Sequence, residues 1–167
     1  MNDTTVSVSY LELTGTPAPI PGHLGAERIV AETLPIDEYL DLYKRVGEPL
    51  RWDQRLRMAR SELIRLLESG SSQVYVLREG DGQAIGFCEF ERCWPEVELK
   101  NFGLLPSAQG KGLGSWLLRT ALHHESSLRP RRIWLHTDNW DHPAAIYVYE
   151  CAGFRVYMVR EEAPGDL

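Results

Sequence analysis

Cysteine is scarce in this chain: Cys88, Cys93 and Cys151 are an odd count of three in 167 residues, with no C-x-x-C pair among them. That excludes a disulfide framework and offers no zinc-site spacing, so a reducing cytoplasm is the simplest expected location, and no metal is expected. No apolar run approaches the ~18 consecutive residues of a membrane span. The start, Met1-Asn2-Asp3-Thr4-Thr5, has no basic stretch leading into an apolar one, so neither export nor a membrane partner is expected. Positive charge is also in short supply. Eighteen Lys and Arg against 24 Asp and Glu leave a net charge of −6, which disfavours phosphate backbones and anionic lipid as partners. No basic stripe interleaved with aromatics offsets that balance, so a nucleic-acid partner is not expected. Internal repeats and low-complexity tracts are absent.

What is present belongs to a folded protein: 43% hydrophobic and 25% charged residues, with five Trp and seven Tyr. The length suits one domain spanning residues 1–167, with 1–5 and 162–167 expected as flexible tails. Alternation of Val6, Val8 and Tyr10 with serines predicts a strand over 6–13. Pro17, Pro19, Pro21, Gly22 and Gly25 then make 14–25 a loop. A short strand is expected over 27–33. Ile36, Tyr39, Leu40, Tyr43 and Val46 recur at helical spacing up to the stop at Gly47 and Pro49, predicting a helix that covers a sheet edge. Leu56 to Leu67 reads as one more helical region, closed by Gly70. Strands at 73–78 and 84–91 flank an Asp81-Gly82 hairpin signal, and Pro95 breaks the chain before a strand at 97–105. A helix at 112–126, a strand at 132–137, a helix at 143–152 and a strand at 154–160 complete a mixed α/β sheet.

The informative stretch runs from the Val97–Leu105 strand through Gln109-Gly110-Lys111-Gly112-Leu113-Gly114-Ser115 into a helix. N–H groups at a helix start lack intrahelical partners and sit at the positive end of the helix dipole, so they bind an anion such as a pyrophosphate. Gly110, Gly112 and Gly114 let phosphates approach the main chain. The dinucleotide fingerprint is excluded by Ser115 in place of its third glycine, and the nucleotide P-loop by Gly112 directly after Lys111.

Gln109-x-x-Gly112-x-Gly114, with its preceding strand and following helix, resembles the pyrophosphate-binding motif of the GNAT N-acetyltransferase superfamily. A second segment, Asp141 to Phe154, is similar to the family's helix ending in Tyr-x-x-x-Gly-Phe, here Tyr149 to Phe154. The resemblance covers residues 73–160 by motif and the first 70 by element order alone. It implies a mostly antiparallel central sheet of six to seven strands with about four helices. It also implies acetyl-CoA as cofactor and N-acetyl transfer to an amine by direct attack on the thioester. A homodimer stays open.

By the same resemblance the pantetheine arm pairs with main-chain groups near Phe102, Gly103 and Leu104, and the diphosphate lies on residues Gln109 to Ser115. His142 stands where many members have asparagine, and Lys111 where arginine is frequent. Tyr149 falls at the position of the tyrosine that protonates the departing thiolate, although Tyr147 is a second aromatic on that helix. Glu98 falls where several members carry a glutamate that takes the amine proton. Lys100, on the same strand face, favours the charged, weakly basic form of Glu98. His136, Asp138, Asp141 and His142 are further titratable candidates. The broken alternation after Lys100 places Gly103 as a candidate β-bulge. Trp52 and Asp53 are candidate holders of a cationic amine, by ring face and charge, with a helix cap at Asp53 as the other reading. The alternative to an enzyme is a non-catalytic acyl-CoA-binding sensor or scaffold, which needs the glycine loop but neither Glu98 nor Tyr149.

Overall fold

A computed structural model describes residues 5–18, 20–22 and 25–163. Of the tails expected to be flexible, 1–4 and 164–167 lie outside the described residues, as does Pro19. Glu162 is not in a tail: it closes the last strand, opposite Val6.

The chain runs β1 (Val6–Leu13), β2 (Arg28–Glu32), α1 (Ile36–Gly47), α2 (Gln54–Arg57), α3 (Arg60–Glu68), β3 (Ser72–Arg78), β4 (Ala84–Cys93), β5 (Glu96–Leu104), α4 (Leu113–Ser127), β6 (Arg132–Asp138), α5 (Ala145–Cys151) and β7 (Phe154–Glu162). The strands form one sheet in the order β2-β3-β4-β5-β6-β1-β7. Every adjacent pair is antiparallel except β5 and β6, which α4 connects as a crossover. No described helix is long and apolar enough to cross a membrane.

Alternation along the central strands sorts the packing. In β4, Phe87 packs against Tyr39 and Tyr43 of α1, with ring centroids 6.2 and 6.5 Å away, and Glu89 points to the same side. Cys88 and Phe90 point to the other face, where Tyr75 packs edge-on to Phe90 and hydrogen-bonds Glu125 of α4. Helix α1 therefore lies over the middle of the sheet, on β4 and β5, and not along an edge as its sequence pattern suggested.

The helical region expected across Leu56 to Leu67 is two helices, because Met58 is extended (φ −70°, ψ 146°). Leu56, which opens that apolar pattern, is 45% exposed, and its neighbour Arg55 only 4%. Arg55 turns in because Glu89 waits on β4. The Glu89 carboxylate, fully buried, accepts hydrogen bonds from Arg55 Nη2 (2.5 Å), Tyr39 Oη (2.5 Å) and Asn101 Nδ2 (2.9 Å). A buried charge requires such partners. Burial opposes the charge on Arg55, but Glu89 outweighs it and holds the guanidinium in its protonated form. This cluster fixes α2, and with it the loop before α2, against β4 and β5.

Candidate active site

Pairing between β5 and β6 covers only Glu96, Glu98 and the residue between them, opposite Arg132–Trp134. Beyond that point the strands separate, which leaves the β6-side edge of β5 from Leu99 to Leu104 without a strand partner. On its other edge β5 carries one extra residue: Glu89 faces Asn101 and Phe90 faces Leu99, so Lys100 is the bulge. The bulge expected at Gly103 is thus displaced, and Gly103 pairs regularly with Phe87. Glycine is required at 103 for a different reason. A Cβ there would stand 2.5 Å from Cγ1 of Val46 and 3.4 Å from the Trp52 ring, because α1 and its following loop press directly on the strand.

The separated strands open a cleft with two halves. The larger, about 580 Å³, is mainly apolar and includes Phe102, Gly103, Leu104, Ala145 and Val148. It ends at Gln109, Gly110, Gly112, Gly114 and Ser115, so five residues of the glycine motif share one wall. Gly110 and Gly112 have φ of +77° and +78°, a left-handed turn that other residues adopt at a cost, and a Cβ at either would meet nothing within 4 Å. The turn thus opens its main chain outward. The first helical bond of α4 runs from the Trp116 N–H to the Gly112 carbonyl (3.2 Å), so the N–H groups of Leu113, Gly114 and Ser115 precede the ladder. Gln109 caps the end of β5 through Nε2 to the Leu104 carbonyl (3.3 Å). Lys111 is exposed and Leu113 is buried in the core, and neither lines the cleft. His142 does line it, with Nδ1 accepting the Ala144 N–H (3.1 Å).

The smaller half, about 370 Å³, is the more polar of the two and receives Trp52, Asp53, Lys100, Asn101, His136 and Asp141. Trp52 closes it on one side, where Nε1 donates to Asp141 Oδ1 across the cleft (3.4 Å). Asp53 occupies the N-cap of α2, but its side chain makes no cap bond and pairs instead with Arg57 (3.3 Å). Leu50, Phe102, Asp141 and Tyr149 line both halves and so mark the junction.

At that junction Tyr149 is 8% exposed, whereas Tyr147 is 70% exposed, which separates the two tyrosines that the sequence left side by side. Burial, with Asp141 close by, pushes the Tyr149 hydroxyl well above its ordinary pKa, so it stays protonated and acts as a donor. Asp141 accepts a hydrogen bond from Thr137 Oγ1 as well as from Trp52. Burial lifts its carboxyl above the usual aspartate range, and Asp138 adds to this, while the bonds from Thr137 and Trp52 pull the other way. Glu98 lies outside the lining of either half, with its carboxylate 3.3 Å from Lys100 Nζ and 3.6 Å from His136 Nε2. Among the described residues no group of His, Cys, Asp and Glu could hold a metal ion.

The family profile described as Acetyltransferase (GNAT) family matches residues 34–154, most of the chain. The chain belongs to the GNAT family. It is 36% identical over 92 residues to a mycothiol acetyltransferase of Streptomyces griseus, a match covering 51% of this chain and 28% of that protein. A mycothiol acetyltransferase of Thermomonospora curvata is 38% identical over 85 residues, covering 50% and 28%. The matched region thus spans little more than a quarter of those relatives. Among solved structures, an acetyltransferase of Novosphingobium aromaticivorans from the GNAT family superposes with a TM-score of 0.65 at 21% identity, covering 93% of this chain and 61% of that one. The ribosomal-protein-S18-alanine N-acetyltransferase of Escherichia coli superposes at 0.64 with 20% identity, covering 79% of each chain. These likenesses show the fold, and the GNAT sheet with its glycine turn and its Tyr149 helix is the arrangement described above.

Proposed function

We propose that this GNAT chain transfers the acetyl group of acetyl-CoA to a primary amine by direct attack on the thioester. The observation that carries the reading is the junction: Tyr149 and Asp141 line both the apolar half, which ends in the glycine turn, and the polar half. The cofactor fits what the residues offer. The outward-open turn at Gly110 and Gly112 and the free N–H groups of Leu113 to Ser115 suit a diphosphate, and the unpartnered edge of β5 near Phe102 to Leu104 suits an amide-bearing arm. Leu113 contributes through its main chain alone.

When bound, acetyl-CoA supplies an activated acyl carbon and a thiolate leaving group. The chain has two proton tasks. An ammonium ion has no lone pair, so the acceptor must lose a proton before it attacks. Asp141 suits that task, because burial has made its carboxylate more basic than usual and it faces the polar half. Glu98, the base expected from its strand position, serves in this reading as the counter-charge of Lys100. Tyr149 gives its hydroxyl proton to the sulfur as the new C–N bond forms and the C–S bond breaks. The nitrogen then sheds its second proton, which returns to the Tyr149 phenolate, and Asp141 releases the first to solvent.

Calorimetry with acetyl-CoA, followed by thiol-release assays on an amine panel, tests the proposal. Saturable binding and amine-dependent thiol release are expected. Binding without turnover on any amine would select a non-catalytic acyl-CoA sensor instead, and no binding at millimolar ligand would remove both readings.

A further inference from the structure

Resting on the acetyl-transfer reading, we infer that the acceptor is a zwitterion, a small amino acid or close analogue whose carboxylate binds Lys100 while its amine faces Asp141. Lys100 is the bulge residue of β5, and a bulge re-aims a side chain. It lines the polar half with its side chain only 16% exposed, so its ammonium is largely withdrawn from water. A desolvated cation gains much from an anionic partner. Among the described residues its recorded partner is Glu98 at 3.3 Å, which approaches from outside the cavity and leaves donors of the ammonium free.

The other charged groups of this half are occupied elsewhere. The Asp138 carboxylate accepts the main-chain N–H groups of Trp140 (2.7 Å) and Asp141 (3.2 Å). Asp53 is paired with Arg57, and the Arg51 guanidinium lies over the Trp140 ring, 5.4 Å from its centroid. His136 lies on the Glu98 side, 3.6 Å from that carboxylate. Lys100 and Asp141 both line the cavity as opposite charges, one on β5 and the other on the loop after β6, and Asp141 also accepts from Thr137 and Trp52. A simple alkylamine would bring its cation into a space that already holds Lys100. A carboxylate on the same molecule removes that conflict and satisfies both walls. The volume, about 370 Å³, sits near the lower end of the ~300–1,000 Å³ range of ligand pockets and suits one small molecule.

The test measures thiol release from acetyl-CoA with each of the common L-amino acids, its carboxamide and its decarboxylated amine, alongside calorimetric binding of acetyl-CoA alone. At least one free amino acid is expected to show kcat/KM tenfold or more above its amide, the discrimination of one charge-assisted hydrogen bond worth ~1.5–3 kcal/mol. Lys100→Met is expected to bring that ratio close to one, mainly through KM for the acid. The wild-type ratio decides the matter even if the variant fails to fold. Acetyl-CoA binding with amides or plain amines used as well as or better than the acids, or with no amino acid used, overturns the zwitterion. Failure to bind acetyl-CoA overturns the acetyl-transfer reading itself.

Discussion

Replacing Arg55 by methionine removes one partner from a buried ion pair while keeping most of the side-chain volume. Glu89 would remain fully buried, with Tyr39 and Asn101 as neutral donors and, among the described residues, no other cation paired with it. Leaving a buried charge uncompensated costs about 3–5 kcal/mol. For a domain of this size that lowers Tm by ~6–20 °C. With a urea slope on the order of 2 kcal/mol per molar, the midpoint falls by about 1.5–2.5 M. Urea unfolding followed by tryptophan fluorescence reads the loss directly. The double variant Arg55→Met/Glu89→Gln should recover at least ~1.5 kcal/mol of it, because the stranded charge is gone and the two positions are in contact. A single-variant cost below about 1 kcal/mol, or a double variant no more stable than the single, would refute the claim that this pair anchors α2 and the wall of the polar half.

Tyr149→Phe should lower kcat by about 10²–10⁴, the usual weight of a general acid, with acetyl-CoA affinity by calorimetry within twofold of wild type; an unchanged kcat contradicts the assignment. Gly112→Ala places a methyl group where the structure is empty but forces a left-handed alanine, so it should cost ~1–2 kcal/mol of stability and weaken acetyl-CoA binding at least tenfold. Intact affinity in a folded Gly112→Ala protein would count against a diphosphate at that turn. Asp141→Asn should suppress turnover and alter the pH dependence of stability. Because burial raises the Asp141 pKa, the folded state holds the proton more tightly than the unfolded chain, whose value is ~3.9. Wild-type stability from this group is therefore greatest below that value and declines as pH rises through the folded pKa. The stability of the asparagine variant relative to wild type should thus rise from pH 4 upward, and a difference that stays flat in urea melts from pH 4 to 8 would contradict it.

The elements with strong local signals were legible. The span of β1 and the start of α1 match their alternation and helical spacing, and the glycine motif sits between β5 and α4 as its pattern required. Tyr149 was singled out by its place in the family's Tyr-x-x-x-Gly-Phe pattern, and burial is what separates it from Tyr147. What escaped depends on partners distant in sequence. A bulge at Lys100 appears only when β4 supplies the register, so the glycine three residues past it drew the expectation instead. The break at Met58 follows from Arg55 reaching Glu89, 34 positions away. One signal for it was available: a glutamate set inside the apolar Phe87 to Phe90 run of a central strand needs a buried cation. Asp141 was one titratable residue among four near the end of β6, and its distinction comes from the bonds of Thr137 and Trp52 and from a place at the junction. Glu98 kept the strand face expected of it, but the separation of β5 from β6 begins just beyond it and opens the cavity elsewhere.

A crystal structure of the protein soaked with acetyl-CoA tests the central claim most directly. The diphosphate is expected on the N–H groups around Gly110 to Ser115, the pantetheine arm along β5 at Phe102 to Leu104, and the sulfur within hydrogen-bond reach of the Tyr149 hydroxyl. Acetyl-CoA bound outside the cleft between β5 and β6, or seated there with its sulfur remote from Tyr149, would contradict it.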